Sequence, residues 1–482
     1  MSNTFQFERS QKNVLYGMMI VGLVSMILAF VTDTGGLHMR FWSNYLHNTV
    51  FFLGIAFIST FILHAKVLTY SGWHVVFKRV WEAYAQFLIV GLALMVPIII
   101  GVWGNFHHLY HWADKAAVES DKILKGKSSF LNPVWYTVGT FVIVGVWYFF
   151  FAKKFRALSM EEDQIGTKEY KQHKRMKIYA AVFLPVAGFS SAAMIWQWIM
   201  SVDAHWYSTM FAWYATASWW VSAVALTILT LIYLKSKGYL EEVTTEHLHD
   251  LGKYMFAFSV FWTYLWFSQY MLIWYANNGE ETIYFHLRMK KFPILFYGNL
   301  VLNFVLPFII LMRNDTKRKY GTLILTSIIV FFGHWFDFFQ MIKPGTWSSE
   351  LEHAAHAAHH EPAHAPEAKL MSNGKPAANA GHAEHATEPA ASSNNKVQHG
   401  AAEHGAAEHG AAGHGAEPQK LVAGTYPAGF VTGVTLPGLL EIGTMIGFLG
   451  LFFYFVFAQL SKAKLVPTND PYLEESVHHH VM

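Results

Sequence analysis

Residues 83–104 read AYAQFLIVGLALMVPIIIGVWG, a run without a single charged side chain. At 1.5 Å per residue, a helix of this length crosses the roughly 30 Å hydrocarbon core of a bilayer. Core helices of soluble proteins are rarely so long and so uniformly apolar. This stretch therefore predicts a membrane-spanning helix.

Runs of the same kind recur along the 482 residues, of which 53% are hydrophobic and 14% charged. The predicted spans lie at 13–32, 48–70, 83–104, 132–152, 178–200, 213–234, 254–276, 293–312, 321–342 and 436–460. We therefore predict an all-α polytopic membrane protein with ten transmembrane helices. In this division, helices 1–9 occupy 1–345, a disordered loop 346–435, the tenth helix 436–460 and a cytoplasmic tail 461–482.

Lys and Arg residues are concentrated in the connections on the side of the two termini, above all between Lys153 and Lys177. Basic connections are retained in the cytoplasm. We therefore expect both termini in the cytoplasm and interpret this basic connection as a topology anchor. The first span is longer than a signal-peptide core and no clear small-residue cleavage site follows it, so we expect it to be retained.

The chain contains no cysteine. Iron–sulfur clusters need thiolate ligands, and covalent c-type haem needs a Cys-x-x-Cys-His motif. The chain can therefore hold neither group. If the protein takes part in electron transfer, the electrons must travel on a bound quinone or on partner subunits.

The predicted loop at 346–435 is rich in His, Ala and Gly and contains the repeat GAAEHGAAEHGAAGHG. It has too few aromatic and branched apolar residues to bury a core. Its eleven histidines between His353 and His414 are of a type that binds transition metals, but no fixed tetrahedral spacing recurs among them. We interpret the segment as a disordered periplasmic linker and assign no metal site. The alternative is a secondary transporter whose loop collects metal outside the cell.

Ionisable side chains inside membrane spans are costly and mark candidate functional sites. His334 and Asp337 are three residues apart, so they share one face of the ninth span near its outer end. Asp203 and His205 follow the fifth span on the same side, and Glu441 lies just inside the tenth. A cluster of imidazole and carboxylate groups suits protonation chemistry. The alternative is that these groups only cap helices or face lipid headgroups.

Four segments resemble the NrfD/polysulfide-reductase family of quinone-interacting membrane subunits, in particular those of alternative complex III. They are Gly72–Leu88, Ser201–Trp220, His249–Thr282 and Gly333–Pro344. The third, HDLGKYMFAFSVFWTYLWFSQYMLIWYANNGEET, is the most specific. The chain departs from the family pattern in two places: Gly279 stands where proline usually precedes the two glutamates, and His334 stands where a basic residue often precedes tryptophan.

The resemblance implies two four-helix bundles plus two peripheral helices in a bacterial inner membrane. It implies a sister NrfD-like subunit, an iron–sulfur subunit and c-type cytochrome subunits as partners, with a terminal oxidase as a further candidate and no nucleic acid. The expected role is an auxiliary subunit of a quinol-oxidising respiratory complex, which is not catalytic alone. No covalent cofactor is expected; quinone or menaquinone and lipids are the candidate ligands. The established quinol pocket of such complexes belongs to the sister subunit, so a quinone site in this chain stays an open alternative.

The resemblance also suggests roles for individual residues. The proton-path candidates are Asp203, His205, His334, Asp337 and Glu441 near the outer face, with Glu82 and Asp250 at the cytoplasmic entrances of spans three and seven. The quinone-contact candidates are Ser268, Gln269 and Glu281. A purely structural scaffold that docks cytochrome subunits remains the alternative to a proton-conducting role.

Overall fold

A helix occupies each of the ten predicted spans in the computed structural model, which describes residues 4–33, 38–165, 170–360 and 433–480. The helices are α1 (Arg9–Thr32), α2 (Met39–Leu68), α3 (Val75–Gly104), α4 (Pro133–Ile165), α5 (Lys171–Val202), α6 (Met210–Ser236), α7 (Thr245–Ala276), α8 (Pro293–Leu311), α9 (Tyr320–His360) and α10 (Leu439–Leu460). The described residues form no β-strand. The molecule is an all-α polytopic membrane protein, as predicted.

Nine of these helices, within the described ranges, are long and apolar enough to cross a membrane. The helix outside this group is α7, whose many Trp and Tyr side chains lower its mean hydropathy. It nevertheless runs the full depth of the bundle. His247 near its start donates to the Ser476 carbonyl in the C-terminal tail (3.0 Å), and Gln269 near its other end donates to Ser208 at the opposite end (2.9 Å).

Both ends of the described chain lie at the same end of the molecule. Thr4 forms a β-bridge with Lys464. The backbone N–H of Gln6 donates to the hydroxyl of Tyr239, in the α6–α7 connection, at 3.1 Å. Ten crossings are an even number, so both termini are expected on the same side of the membrane. We call this end the termini side and the opposite end the far side.

The ten helices pack as two four-helix bundles with one peripheral pair. Helices α2–α5 form the first bundle, in which Trp147 of α4 donates to Ser190 of α5 at 2.9 Å. Helices α6–α9 form the second bundle, and α2 packs against α6 where the two bundles meet. Trp335 of α9 donates to Asn48 of α2 at 2.9 Å, which links the two bundles further.

Helices α1 and α10 form the peripheral pair and cross at glycines. A methyl group built on Gly22 would come within 2.3 Å of the Gly447 Cα, and one on Gly443 would meet the Ser25 hydroxyl at 2.0 Å. Small residues at such a crossing let two membrane helices approach closely enough for backbone contact. The Gly443-x-x-x-Gly447 spacing places both glycines on the same face of α10.

Two connecting segments matter for the sites below. The C-terminal tail, residues 461–480, folds over the termini side and ends in a short helix, Leu473–Val477. A further helix, Gly279–Lys291, joins α7 to α8 on the far side. Helix α9 continues to His360, past the predicted boundary at residue 345. Residues 361–432, which hold most of the predicted His-rich loop, lie outside the described part of the chain.

Candidate functional site

Four helices of the second bundle converge on one carboxylate, that of Asp337 on α9. The side chain is fully buried. It accepts hydrogen bonds from the Tyr214 hydroxyl on α6, the Trp262 indole on α7 (2.9 Å) and the Asn299 amide on α8 (2.5 Å). All three donors are neutral groups, so the site offers hydrogen bonds without a countercharge in direct contact.

A local distortion of α8 positions the amide donor. Residues Val301–Val305 form a π-helical turn, a feature common at functional sites. Asn303 in this turn donates to the Asn299 side-chain oxygen (2.6 Å) and to the Gly333 carbonyl on α9 (3.0 Å). A methyl group on Gly333 would come within 2.3 Å of the Asn303 oxygen, so the glycine makes this close contact between α8 and α9 possible.

His334 lies one turn before Asp337 and faces the same neighbouring helices. Its Nδ1 is 2.9 Å from the Ser218 hydroxyl on α6, and its ring contacts the edge of Trp262 at a centroid distance of 5.5 Å. Its Nε2 is buried with no hydrogen-bond partner among the described residues. The predicted shared face of His334 and Asp337 is confirmed, because both side chains contact α6 and Trp262 of α7.

Asp203, in the α5–α6 connection, packs against the same face of α9 farther toward the far side. Its carboxylate accepts from the Arg288 guanidinium at 2.8 Å, and Arg288 is fully buried and also donates to the Met341 carbonyl at 3.3 Å. A methyl group on Gly345 would approach the Asp203 carboxylate to 2.9 Å. Residues 337, 341 and 345 are spaced at four-residue intervals, so the ion pair is about 12 Å along the helix from Asp337.

His205, although it is two residues from Asp203, belongs to a different contact. Its Nε2 lies 2.5 Å from the Asp121 carboxylate in the α3–α4 connection, and its side chain is 37% exposed. Burial alone would raise the pKa of the Asp121 carboxyl, but the hydrogen bond from His205 and further hydrogen bonds from the backbone outweigh burial and lower that pKa. The structure therefore does not place His205 beside Asp337.

Glu441 is also separate from Asp337. Its two oxygens accept from the Arg40 guanidinium at 2.8 and 3.1 Å, and Asn44 of α2 donates to the same carboxylate at 3.0 Å. The backbone N–H of Gly438 completes the set at 2.8 Å. These contacts join the first turn of α10 to the first turns of α2, so Glu441 stabilises the packing of these two helices.

Glu82 and Asp250 lie on the termini side, at the helix ends where the sequence placed them, but in two separate groups. Glu82 accepts from Arg79 at 2.5 Å, and Arg79 also pairs with Asp163. Asp250 is 2.7 Å from His479 of the tail. The sequence thus predicted the end of the molecule correctly for both residues, and the structure assigns each to its own ion-pair group.

The three quinone-contact candidates do not share a described contact. Ser268 and Gln269 are buried near the far-side end of α7, and Gln269 bonds Ser208. Glu281 is half-buried in the first turn of the helix Gly279–Lys291. No hydrogen bond or ion pair in the described part of the chain joins Glu281 to the other two.

A cavity on the termini side was not anticipated from the sequence. It is lined in part by His74, Lys78, His173, Asp470 and Tyr472. Asp470 of the tail pairs with Lys78 of α3 there. Burial opposes ionisation of Asp470, but the charge and hydrogen bond of Lys78 outweigh it, so the pKa of this carboxyl lies below its usual value.

Sequence reasoning missed the groups that surround Asp337. Tyr214 and Trp262 lie within quoted segments, yet aromatic residues in a membrane span usually pack. Asn299 and Asn303 gave a usable signal, because two amides four residues apart in an apolar run share a face. Arg288 gave none, since basic residues at the end of a short amphipathic helix are common.

These features define a multi-pass membrane protein with an acid held between helices by neutral donors. No protein-family model matches the chain, and no curated protein sequence matches it either. Among the described residues, no group of three or more His, Asp or Glu side chains is arranged to hold a metal ion. The histidines from His353 to His414 are not among these side chains.

Proposed function

We propose that this chain is an auxiliary NrfD-like membrane subunit, of the ActF type, in an alternative complex III that oxidises quinol and reduces cytochrome c or a related acceptor. Its contribution would be a scaffold and a proton path. The observation that supports this best is the buried Asp337 with its three neutral donors and His334 one turn away. Residues from three of the four family-like segments meet at this carboxylate.

A buried acid that exchanges protons needs both of its charge states to be accessible. The apolar surroundings of Asp337 favour the neutral acid, whereas its three hydrogen-bond donors stabilise the carboxylate. Glu441 differs because Arg40 neutralises it directly. Asp337 is therefore the better carrier. Asp203 is the next carboxylate toward the far side, but its pair with the buried Arg288 holds it ionised as Arg40 holds Glu441.

The proposed division of labour follows from the redox chemistry. Oxidation of one quinol to quinone releases two electrons and two protons. A chain without cysteine cannot hold an iron–sulfur cluster, so the electrons would pass through an iron–sulfur subunit and c-type cytochromes, and from there to a terminal oxidase. The protons would pass through side chains such as Asp337. A quinone contact at Ser268, Gln269 and Glu281 belongs to the same proposal and is its weaker part.

The test is Asp337→Asn in the assembled complex, with proton release per electron measured in vesicles during quinol oxidation. Asparagine keeps the size of the side chain and removes the exchangeable acid. We expect proton release per electron to fall, while c-type haem still co-purifies with the chain. Asp315→Asn is the matched control, because Asp315 is an exposed carboxylate in the α8–α9 connection, paired with Arg313 at 3.0 Å.

Two outcomes would count against the proposal. Unchanged proton release in Asp337→Asn would remove the proton path. Purification of the wild-type chain consistently free of c-type haem would remove the complex itself, whatever the variant does. The two readouts are separate, so the role and the assembly are tested independently.

A further inference from the structure

One exposed face of α5 changes from basic to apolar along its length. Its members follow a helical repeat of three, four and seven residues, which places them on a common stripe. They are Lys171, Lys174, Arg175, Ile178, Val182 and Phe189. Ile178 is 66% exposed and Phe189 84%, values that suit contact with lipid rather than with other helices of this chain.

The cations at the start of this stripe are not paired with acidic side chains in the described part of the chain. Within the described ranges, none of Lys171, Lys174 and Arg175 is within salt-bridge distance of a carboxylate. The nearby acids have other contacts. Asp163 pairs with Arg79, and Glu161 accepts from Gln172 at 3.3 Å.

A further cation of α5 lies beside the basic end of the stripe. Lys177 of α5 lies over the ring of Tyr70, at 3.8 Å from its centroid. Several positive charges thus surround the point where the apolar part of the stripe begins.

The apolar part is long enough for an acyl chain. From Arg175 to Phe189 the helix rises about 21 Å at 1.5 Å per residue, compared with roughly 15 Å for one leaflet of the hydrocarbon core. Next to Phe189, a methyl group on Gly188 would meet no atom within 4 Å, so the surface there is open.

We infer that this face binds an anionic phospholipid such as phosphatidylglycerol or cardiolipin. The phosphodiester lies at Lys171, Lys174 and Arg175, and the acyl chains follow Ile178, Val182 and Phe189. A topology anchor needs only net positive charge. Here the positive charges are followed along the helix by an apolar surface, which matches the order of headgroup and acyl chains in a phospholipid. The inference does not depend on the proposed respiratory role.

The absence of cysteine in the sequence makes a single-label experiment clean. Val182→Cys carries a bimane fluorophore on the full chain in phosphatidylcholine nanodiscs, and Val182 is 51% exposed. Phosphatidylglycerol or phosphatidylcholine brominated in its acyl chains is added at equal mole fraction. Because a basic residue at a membrane surface changes anionic-lipid binding by roughly fivefold, we expect brominated phosphatidylglycerol to show about a fivefold or greater preference at this site.

Two controls separate the site from general attraction to a positive protein. Val138→Cys on α4 is 50% exposed but lies toward the far side, and there the two brominated lipids should quench equally. Adding Lys171→Gln, Lys174→Gln and Arg175→Gln should remove the preference at Val182→Cys. Equal quenching by both lipids at Val182→Cys, or a preference that survives the triple substitution, would overturn the inference. In the first case, a photo-crosslink from that position to a polypeptide in native membranes would assign the face to a protein partner instead.

Discussion

At the scale of single residues, two buried carboxylates near the far side differ in the groups that compensate their negative charge. Asp337 and Glu441 are both fully buried. Glu441 faces the guanidinium of Arg40, whereas Asp337 receives only neutral donors. An acid paired with a fixed cation stays ionised, and an acid without one can change its charge. Burial alone would not distinguish these residues; their partners do.

The buried ion pair between Asp203 and Arg288 gives a stability prediction. Arg288 is fully buried, and its guanidinium carbon lies 3.4 Å from the centroid of the Tyr284 ring. Removing one member of a buried pair leaves an uncompensated charge, at a cost of about 3–5 kcal/mol. We therefore expect Asp203→Asn to lower the thermal unfolding midpoint of the purified protein strongly.

The double variant Asp203→Asn with Arg288→Met should recover part of that loss, because no unpaired charge remains. The control is Arg313→Gln, at a pair whose side chains are 76% and 46% exposed and which should contribute no more than about 1 kcal/mol. Tryptophan fluorescence during heating measures all of these variants. A double variant less stable than Asp203→Asn by the full cost of a second, independent substitution would contradict the pairing.

At the scale of helices, the sequence predicted the existence of each span better than its ends. The bilayer imposes one length on every spanning helix, and this constraint is visible in the apolar runs. Helix α2, however, starts at Met39, nine residues before the predicted position 48. The polar residues of its first turns are buried: His47 lies 2.8 Å from the Trp335 carbonyl, and Asn48 accepts from the Trp335 indole. Hydropathy cannot identify polar groups whose partners are on another helix.

The glycine crossing between α1 and α10 predicts a strong size effect. Gly447→Leu places a side chain where the Cα of Gly22 already lies 2.4 Å from the position of its Cβ, so the helices must separate. We expect faster proteolytic release of the N-terminal segment and a lower unfolding temperature. The matched control is Gly145→Leu on α4, where a Cβ meets nothing within 4 Å. Similar effects of Gly447→Leu and Gly145→Leu would contradict a specific requirement for glycine at the crossing of α1 and α10.

The C-terminal tail predicts a pH-dependent contact. The pKa of Asp470 is below its usual value, because Lys78 stabilises the carboxylate more than burial destabilises it. Because the pKa of Asp470 is lower in the folded protein than in the unfolded chain, its ionised form stabilises the folded tail above the unfolded pKa of about 3.9. This stabilisation is lost as pH falls through the lower folded pKa. Asp470→Asn should therefore loosen the tail at pH 7, and its difference from wild type should shrink below about pH 4.

Trypsin cleavage at Lys462 and Lys464 reports release of the tail at neutral pH, and hydrogen exchange extends the comparison to acid. Glu474→Gln, an exposed position in the tail helix, is the control and should behave as wild type. A tail equally protected in Asp470→Asn and wild type at pH 7 would contradict the assigned role of the Lys78 pair.

At the scale of the whole molecule, the candidate site was only partly predictable. Spacing along one helix was sufficient to place His334 and Asp337 on one face. The donors to Asp337 come from other helices, as with Tyr214, which is 123 residues away in sequence. Glu441 and its partner Arg40 are separated by 401 residues. Such pairings depend on how the helices pack, and neither hydropathy nor local spacing encodes that packing in a single sequence.

The orientation of the molecule in the membrane is the remaining whole-molecule prediction. The structure brings both termini to one end, and the concentration of Lys and Arg there predicts that this end is cytoplasmic. Single cysteines can test it, since the natural chain has none. Glu119→Cys, in the α3–α4 connection on the far side, should react with a membrane-impermeant maleimide in intact spheroplasts. Lys462→Cys, next to the bridge that joins the termini, should react only after the membrane is permeabilised. A reversed pattern would invert the predicted orientation and leave the fold intact, whereas labelling of both positions from outside would contradict the odd number of crossings between them.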